Sequence, residues 1–301
     1  MKAAPFSYVR PASLAEAIAE LAGTNGGGKV IAGGQSLVPV LAMRLARPDT
    51  LVDINAVAGL DQITQVSGGL RIGATVRQRR VERDPDCGAV PLLRMALPWV
   101  GHRELRSRGT VCGSLAHADP AAELPAVACC LGAELTLSGP AGDRQLRADE
   151  FFSGAMTTAL RPEEILTAVR LPVATAGEGF GFAEIARRHG DFALAGVVAR
   201  VKVRGKAADA VLTGFGVSDR AVTRDVGAEL TSALHTAAGQ VDRLAEALRG
   251  SLTAVVEGMV DTEGDAHASR SYRRRLFRTL AVRELHKAYQ RACASVDEVT
   301  P

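Results

Sequence analysis

Leu14, Ala17, Ile18 and Leu21 recur at helical spacing, and the segment is punctuated at both ends: Ser13 is placed to cap it, Glu16 stands at capping-box distance, and Gly23 closes it. A turn-rich stretch over 24–28 follows. The short apolar run 29–32 reads as a strand that opens into Gly33-Gly34-Gln35-Ser36, and a second helical pattern runs over 37–45 until Pro48 ends it. Residues 51–54 read as another buried strand. The first fifty or so residues thus predict a compact β-α-β unit.

Further along, 70–74 reads as a strand, and a helical stretch begins near Thr75. Residues 91–106 suit a helix and an irregular turn, after which Gly109-Thr110-Val111-Cys112-Gly113-Ser114 reads as a second glycine-punctuated loop. An apolar helix is predicted over 125–132. Segments 134–137 and 144–146 flank a hairpin loop at 139–143, and 165–171 is a strand stopped by Pro172. The small, glycine-bearing stretch 174–179 predicts a linker. Beyond it, 193–203 and 210–217 predict long antiparallel strands around Arg204-Gly205-Lys206, with helices near 231–256 and 269–291. A boundary near residue 176 divides the chain into 1–176, with parts of about 1–57 and 58–176, and 177–301.

Composition narrows the possibilities. With 301 residues, 47% hydrophobic and 23% charged, the chain has the balance of a globular protein of two ordinary domains. A net charge of +3, spread along the chain, argues against nucleic acid as a partner. The densest basic run, Arg273-Arg274-Arg275 with Arg278, is interleaved with Leu276, Phe277, Leu280 and Val282 and reads as a solvated helix face. No apolar run approaches the roughly 20 residues of a membrane span, and the start lacks a signal-like apolar region, so a cytoplasmic location is expected. Five cysteines form no CxxC pair and no zinc spacing. They cannot hold an iron–sulfur cluster, which would have to belong to another chain.

Candidate chemistry centres on the two glycine segments. Glycines let backbone amides approach a phosphate closely. Residues 33–36 match neither a P-loop nor a GxGxxG fingerprint, and alone they read as a structural turn sooner than as a phosphate site. The second segment supplies Thr110, Gly113 and Ser114, and Glu123 follows with a carboxylate suited to ribose hydroxyls. Two such loops suit one pyrophosphate, and hence a dinucleotide held without a Rossmann fold. His102 and His117 lack ligand partners at metal spacing and read as structural. Asp119 before Pro120 is either a turn former or a cofactor contact, and Cys129 and Cys130 read as core.

Four segments carry a family resemblance in order along the chain: Val30-Ile31-Ala32-Gly33-Gly34-Gln35-Ser36-Leu37; Ile72-Gly73-Ala74; Thr110-Val111-Cys112-Gly113-Ser114 continuing through Ala118-Asp119-Pro120 to Glu123; and Arg187-Arg188-His189-Gly190-Asp191-Phe192-Ala193. They resemble the FAD-binding medium subunit of molybdenum hydroxylases, as in carbon-monoxide dehydrogenase, and the flavin domain of xanthine dehydrogenase. The resemblance implies an α+β fold. Residues 1–176 would form a two-part FAD-binding domain of the vanillyl-alcohol-oxidase-like (PCMH) type, and 177–301 a C-terminal domain of a three-stranded antiparallel sheet plus helices.

It also implies an oxidoreductase subunit carrying non-covalent FAD. The amides of Ala32, Gly33, Gly34, Gln35 and Ser36, flanked by Val30, Ile31 and Leu37, would hold the pyrophosphate together with Thr110, Val111, Cys112, Gly113 and Ser114. Glu123 would bind the adenosine ribose, Val100 and Gly101 would lie against the flavin or its chain, and Leu166 would pack on the adenine. Asp191 and Phe192 complete the implied contacts. Molybdopterin and [2Fe-2S] clusters would reside in a large and a small partner subunit, in a dimer of heterotrimers, with FAD passing electrons to NAD, a quinone, oxygen or another acceptor. Two positions depart from the family pattern: Cys112 replaces a usual second glycine and is expected to add a side chain next to the phosphate or flavin, and Phe192 stands where tyrosine is common. A stand-alone flavoenzyme and a flavin-free scaffold are the rival readings.

Overall fold

The computed structural model describes residues 2–205, 207–238 and 240–297. They form two compact units that interleave in sequence. The first comprises the chain up to Cys87 with His102–Asp119 and Gly132–Pro172; the second comprises Gly88–Gly101, Pro120–Leu131 and the chain from Val173 onward.

In the first unit the Ser13 hydroxyl accepts the Glu16 amide at 3.2 Å, and the Glu16 carboxylate accepts the Ser13 amide at 3.3 Å. This capping box starts the helix Leu14–Gly23, which buries Ala17 and Leu21. A three-stranded sheet in the spatial order Ser7–Val9, Thr50–Asp53, Gly28–Ile31 is parallel throughout. The β-α-β expectation holds through Gly28–Ile31, Leu37–Ala42 and Thr50–Asp53. Its helix stops at Ala42, short of Leu45, because Arg44 turns to φ +58°.

The second sheet of this unit is antiparallel, in the order Ile63–Val66, Gly69–Gly73, Ile165–Pro172, Glu134–Gly139, Gly142–Arg147. Its central strand, Ile165–Pro172, is buried from Ile165 through Val169, and the one polar residue in that stretch, Thr167, donates its hydroxyl to the Thr136 carbonyl at 3.2 Å. The glycine segment expected as a loop over 109–114 is different in form: Val111–His117 is a helix, with Thr110 as its N-cap. Thr110 offers a stronger start signal than the glycines offer a break.

The second unit contains an antiparallel sheet of four strands, Glu178–Ile185, Ala195–Arg204, Ala207–Phe215 and Val222–Asp225. Three were expected; the fourth is a four-residue edge strand, too short to leave a periodic signal. Lys206, in the expected connection between the long strands, lies outside the described residues. The helix Arg270–Asp297 packs on the strands Glu178–Ile185 and Ala195–Arg204. Gly179 and Gly181 make this approach possible: a Cβ at Gly179 would stand 2.0 Å from the Ala288 carbonyl oxygen, and one at Gly181 2.3 Å from that of Glu284. Gly179, which reads as linker, is therefore a packing residue inside a strand.

The helical stretch expected over 231–256 is three helices, Gly227–Thr236, Val241–Ser251 and Thr253–Met259, the first ending two residues before Ala238, which stands at φ +50°. Leu230, Leu248, Val256, Phe277 and Leu285 join one core with strand residues Val197 and Leu212. Arg273 departs from the solvated face expected of its run. It is buried, and its guanidinium donates to the carbonyls of Leu194 and Gly216, both at 2.7 Å, and to Asp265. No helix among the described residues is long and apolar enough to cross a membrane.

Candidate cofactor site

The strand Gly28–Ile31 leaves its sheet at Ala32, and the chain turns through Gly33-Gly34-Gln35-Ser36 into the helix Leu37–Ala42. Gly34 sits at φ +73°, a conformation that strains any residue with a Cβ. Gly33 answers a different need. A Cβ there would lie 2.4 Å from the Arg108 carbonyl oxygen and 2.8 Å from Gly109 Cα, so glycine brings the turn into backbone contact with the second glycine segment. Among the described residues, no hydrogen bond engages the amides of residues 33–36. Four donors in succession are available to an anion.

The second segment is organised by Thr110. Its hydroxyl accepts the Gly113 amide at 2.9 Å and its carbonyl accepts the Ser114 amide at 3.2 Å, while the Val111 amide donates to Val76 at 3.4 Å. A Cβ at Gly113 would meet the Thr110 hydroxyl at 2.6 Å, so this glycine serves the cap. Most amides of the segment are thus engaged within the protein. Cys112 faces inward, contrary to the expectation of a side chain beside the phosphate or flavin. It is 2% exposed, its thiol donates to the Ile72 carbonyl at 3.6 Å, and burial pushes its pKa up to about 12. The first helical turn directs residue 112 into the core, where a thiol behaves as a small apolar group.

Residues from outside both segments tie them together. Asn55 Nδ2 donates to the Ala32 carbonyl at 2.8 Å; Arg77 Nη2 donates to Asn55 Oδ1 at 2.6 Å, and Arg77 Nη1 to the Arg108 carbonyl at 2.5 Å. Gln78 continues the pattern, its amide donating to Gly109 at 2.9 Å and its side chain to Thr110 at 3.3 Å. Asp53 anchors Asn55 by accepting its backbone and side-chain donors at 2.9 and 2.5 Å, and accepts the Tyr8 hydroxyl as well. Burial alone would raise the Asp53 pKa, but these hydrogen bonds outweigh it and hold the carboxylate below its usual range.

Tyr8, Asp53, Asn55, Arg108 and the turn residues Ala32–Gln35 line a cavity of about 530 Å³. The Arg108 side chain is exposed and enters no ion pair among the described residues. Burial first, and the Arg108 charge second, lower the Arg77 pKa. The Arg108 guanidinium lies at the cavity beside four free amides, while both Arg77 Nη nitrogens donate to protein acceptors. The arrangement is electrostatically complementary to a phosphate or pyrophosphate. Asn55, Arg77 and Arg108 escaped the sequence reading, since their spacing along the chain matches no motif.

The other expected contacts divide between the units. Val30, Ile31 and Leu37 flank the turn, and Leu166 is buried beside a bulge in Ile165–Pro172. Val100, Gly101, Glu123, Asp191 and Phe192 belong to the second unit. There Gly101 adopts φ +52°, Glu123 is buried as the first residue of the helix Glu123–Leu131, and Phe192 is 64% exposed beside the exposed Asp191. The Trp99 ring lies 5.8 Å from that of His189 and 6.4 Å from that of Phe182. His117, in the first unit, has its pKa lowered by burial and then by Lys29, and Asp119 offsets this in part.

Comparison with known proteins adds independent information. Residues 4–174 match the family described as FAD binding domain in molybdopterin dehydrogenase. The 6-hydroxypseudooxynicotine dehydrogenase complex subunit alpha of Paenarthrobacter nicotinovorans is 35% identical over 299 residues, covering 97% of each chain. The carbon monoxide dehydrogenase medium chain of Afipia carboxidovorans is 32% identical, covering 95% of this chain and 98% of its own. In structure, a chain of quinoline 2-oxidoreductase from Pseudomonas putida 86 superposes with a TM-score of 0.82 at 35% identity, covering 98% of this chain and 100% of that one.

Proposed function

Since the chain belongs to the family of FAD-binding domains of molybdopterin dehydrogenases, we propose that it is the flavin-bearing electron-transfer subunit of a molybdenum hydroxylase complex. FAD, when bound, supplies the redox chemistry, taking up electrons that originate at iron–sulfur clusters of a partner subunit and delivering them to an external acceptor. The polypeptide binds, orients and electrostatically tunes it. Molybdopterin and the clusters belong to the partner subunits. Relatives whose names identify them as a complex subunit and a medium chain, matched over nearly their whole lengths, support this reading over a self-contained flavoenzyme. An assembly of two copies each of a large, a medium and a small subunit is part of the proposal.

The observation that carries the FAD assignment is the cradle at Gly33. A Cβ would close the contact between the turn and Arg108-Gly109, and the amides of residues 33–36 stand free beside the Arg108 cation. These residues would hold the pyrophosphate, with the Arg108 guanidinium offsetting its charge. The separate parallel and antiparallel sheets of the first unit support the two-part FAD-binding arrangement of the vanillyl-alcohol-oxidase-like type. Titration of the FAD-free full chain with FAD, followed by displacement with ADP, tests the assignment. Saturable FAD binding that ADP competes away is expected; a chain that takes up neither contradicts it.

A further inference from the structure

We propose that Asn55 and Arg77 are positioning residues for the cofactor: together they set the spacing and orientation of the Gly33–Ser36 turn relative to the Arg108-Gly109-Thr110 segment. The inference rests on the FAD reading above. It concerns two side chains that bridge long sequence separations, 23 residues from Asn55 to Ala32 and 31 from Arg77 to Arg108.

The chain of donors runs in one direction. Arg77 donates to Asn55, and Asn55 donates to the Ala32 carbonyl, while the second Arg77 nitrogen holds the Arg108 carbonyl. A trans peptide unit points its C=O and N–H to opposite sides. By fixing the Ala32 carbonyl, Asn55 therefore aims the Gly33 N–H the other way, and that amide is one of the four free donors. Arg77 fixes the opposite wall at the same atom, the Arg108 carbonyl oxygen, against which Gly33 packs.

The side-chain types are specific to this task. A planar guanidinium presents two donors at fixed separation, and Arg77 uses them on two acceptors belonging to different segments. A lysine can serve only one of the two with comparable geometry. Asn55 must accept from Arg77 and donate to Ala32 simultaneously, which an amide does and a carboxylate does not. Asp53 locks the asparagine rotamer by accepting from both its backbone and side-chain nitrogens. The bonds that carry this role all run to protein acceptors: Asn55 to Ala32, and Arg77 to Asn55 and Arg108.

The test uses the full chain in wild-type form and as Arg77→Lys, Arg77→Ala, Asn55→Asp and Asn55→Ala. FAD and ADP affinities are measured across a range of salt concentrations, together with the melting temperature of each FAD-free protein. Each variant is expected to lose on the order of tenfold or more in affinity for both ligands. Asn55→Asp keeps an acceptor for Arg77 and removes the donor to Ala32, and Arg77→Lys keeps the charge, so both report on alignment even if an alanine variant does not fold. Because Arg77 positions rather than neutralises, the salt dependence of binding in the Arg77 variants and in Asn55→Ala should match wild type. Asn55→Asp adds a charge to the cavity wall, so its affinity is compared with wild type at high salt, where that charge is screened. Wild-type affinity in Asn55→Asp and Arg77→Lys, or a flattened salt dependence in the Arg77 variants, overturns the positioning role. Wild-type protein that binds neither FAD nor ADP overturns the FAD reading itself.

Discussion

Glu184 and Glu123 set two buried carboxylates in mutual repulsion within the second unit, and both oxygens of Glu184 are buried without a hydrogen-bond partner among the described residues. Burial first, and the Glu123 charge second, push the Glu184 pKa up to about 8. An isolated acid in this setting holds its proton at neutral pH.

The sign of the resulting pH dependence follows from linkage. Between the ordinary value of 4.5 and about 8, folded Glu184 is protonated while the unfolded side chain is ionised, so stability falls as pH rises through that window. Above it the whole penalty is present, on the order of a few kcal/mol. Glu184→Gln removes the titration. Denaturant melts of the FAD-free chain at about pH 5, 7 and 9 should show its stability relative to wild type increasing with pH, and a pH-independent difference contradicts the assignment.

Gly33→Ala places a methyl group against the Arg108 carbonyl and Gly109 Cα, both backbone atoms that move only with their segment. The substitution should cost roughly 1–3 kcal/mol of stability, as overpacking does, and weaken FAD binding by more than tenfold because the two walls part. Paired thermal melts and FAD titrations check this. Retained affinity in a destabilised variant shows that the contact is structural only.

Burial and a pKa raised to about 12 make the Cys112 thiol inert in the folded chain. Mass spectrometry after brief alkylation at neutral pH should find Cys112 unmodified and FAD affinity unchanged. Cys112→Ala should lower stability by roughly 1–2 kcal/mol through the lost packing, with flavin binding intact. Rapid alkylation that blocks FAD uptake would return this residue to the binding surface.

Arg108 supplies charge at the cavity without an acidic partner among the described residues. Arg108→Gln should weaken FAD binding by a few-fold at low salt and by less at high salt, since a screened cation contributes less. Isothermal titration at two ionic strengths distinguishes this from a salt-independent loss, which would indicate displacement of the loop.

Local signals carried much of the architecture into the sequence. The Ser13–Glu16 capping box, the apolar strand before Gly33 and the largely apolar strand ended by Pro172 are each written over a few consecutive residues. What escaped depends on distant packing. Gly179 reads as the end of a linker until the helix Arg270–Asp297 lies against it, and Arg273 reads as solvated until the carbonyls of Leu194 and Gly216 meet it. The site shows the same division. Its glycines are legible because a close backbone approach admits little else, whereas Asn55, Arg77 and Arg108 acquire meaning only when the turn and the second segment come together. The inward direction of Cys112 follows from a helix that its glycine-flanked surroundings disguise as a loop.

The most direct test of the central claim is flavin and metal analysis of the complex recovered with a tagged version of this chain from cells that express it natively. The account predicts FAD together with molybdenum and iron, in a particle containing two additional polypeptides. A chain recovered alone, carrying flavin but neither metal, and oxidising an organic substrate unaided would contradict it.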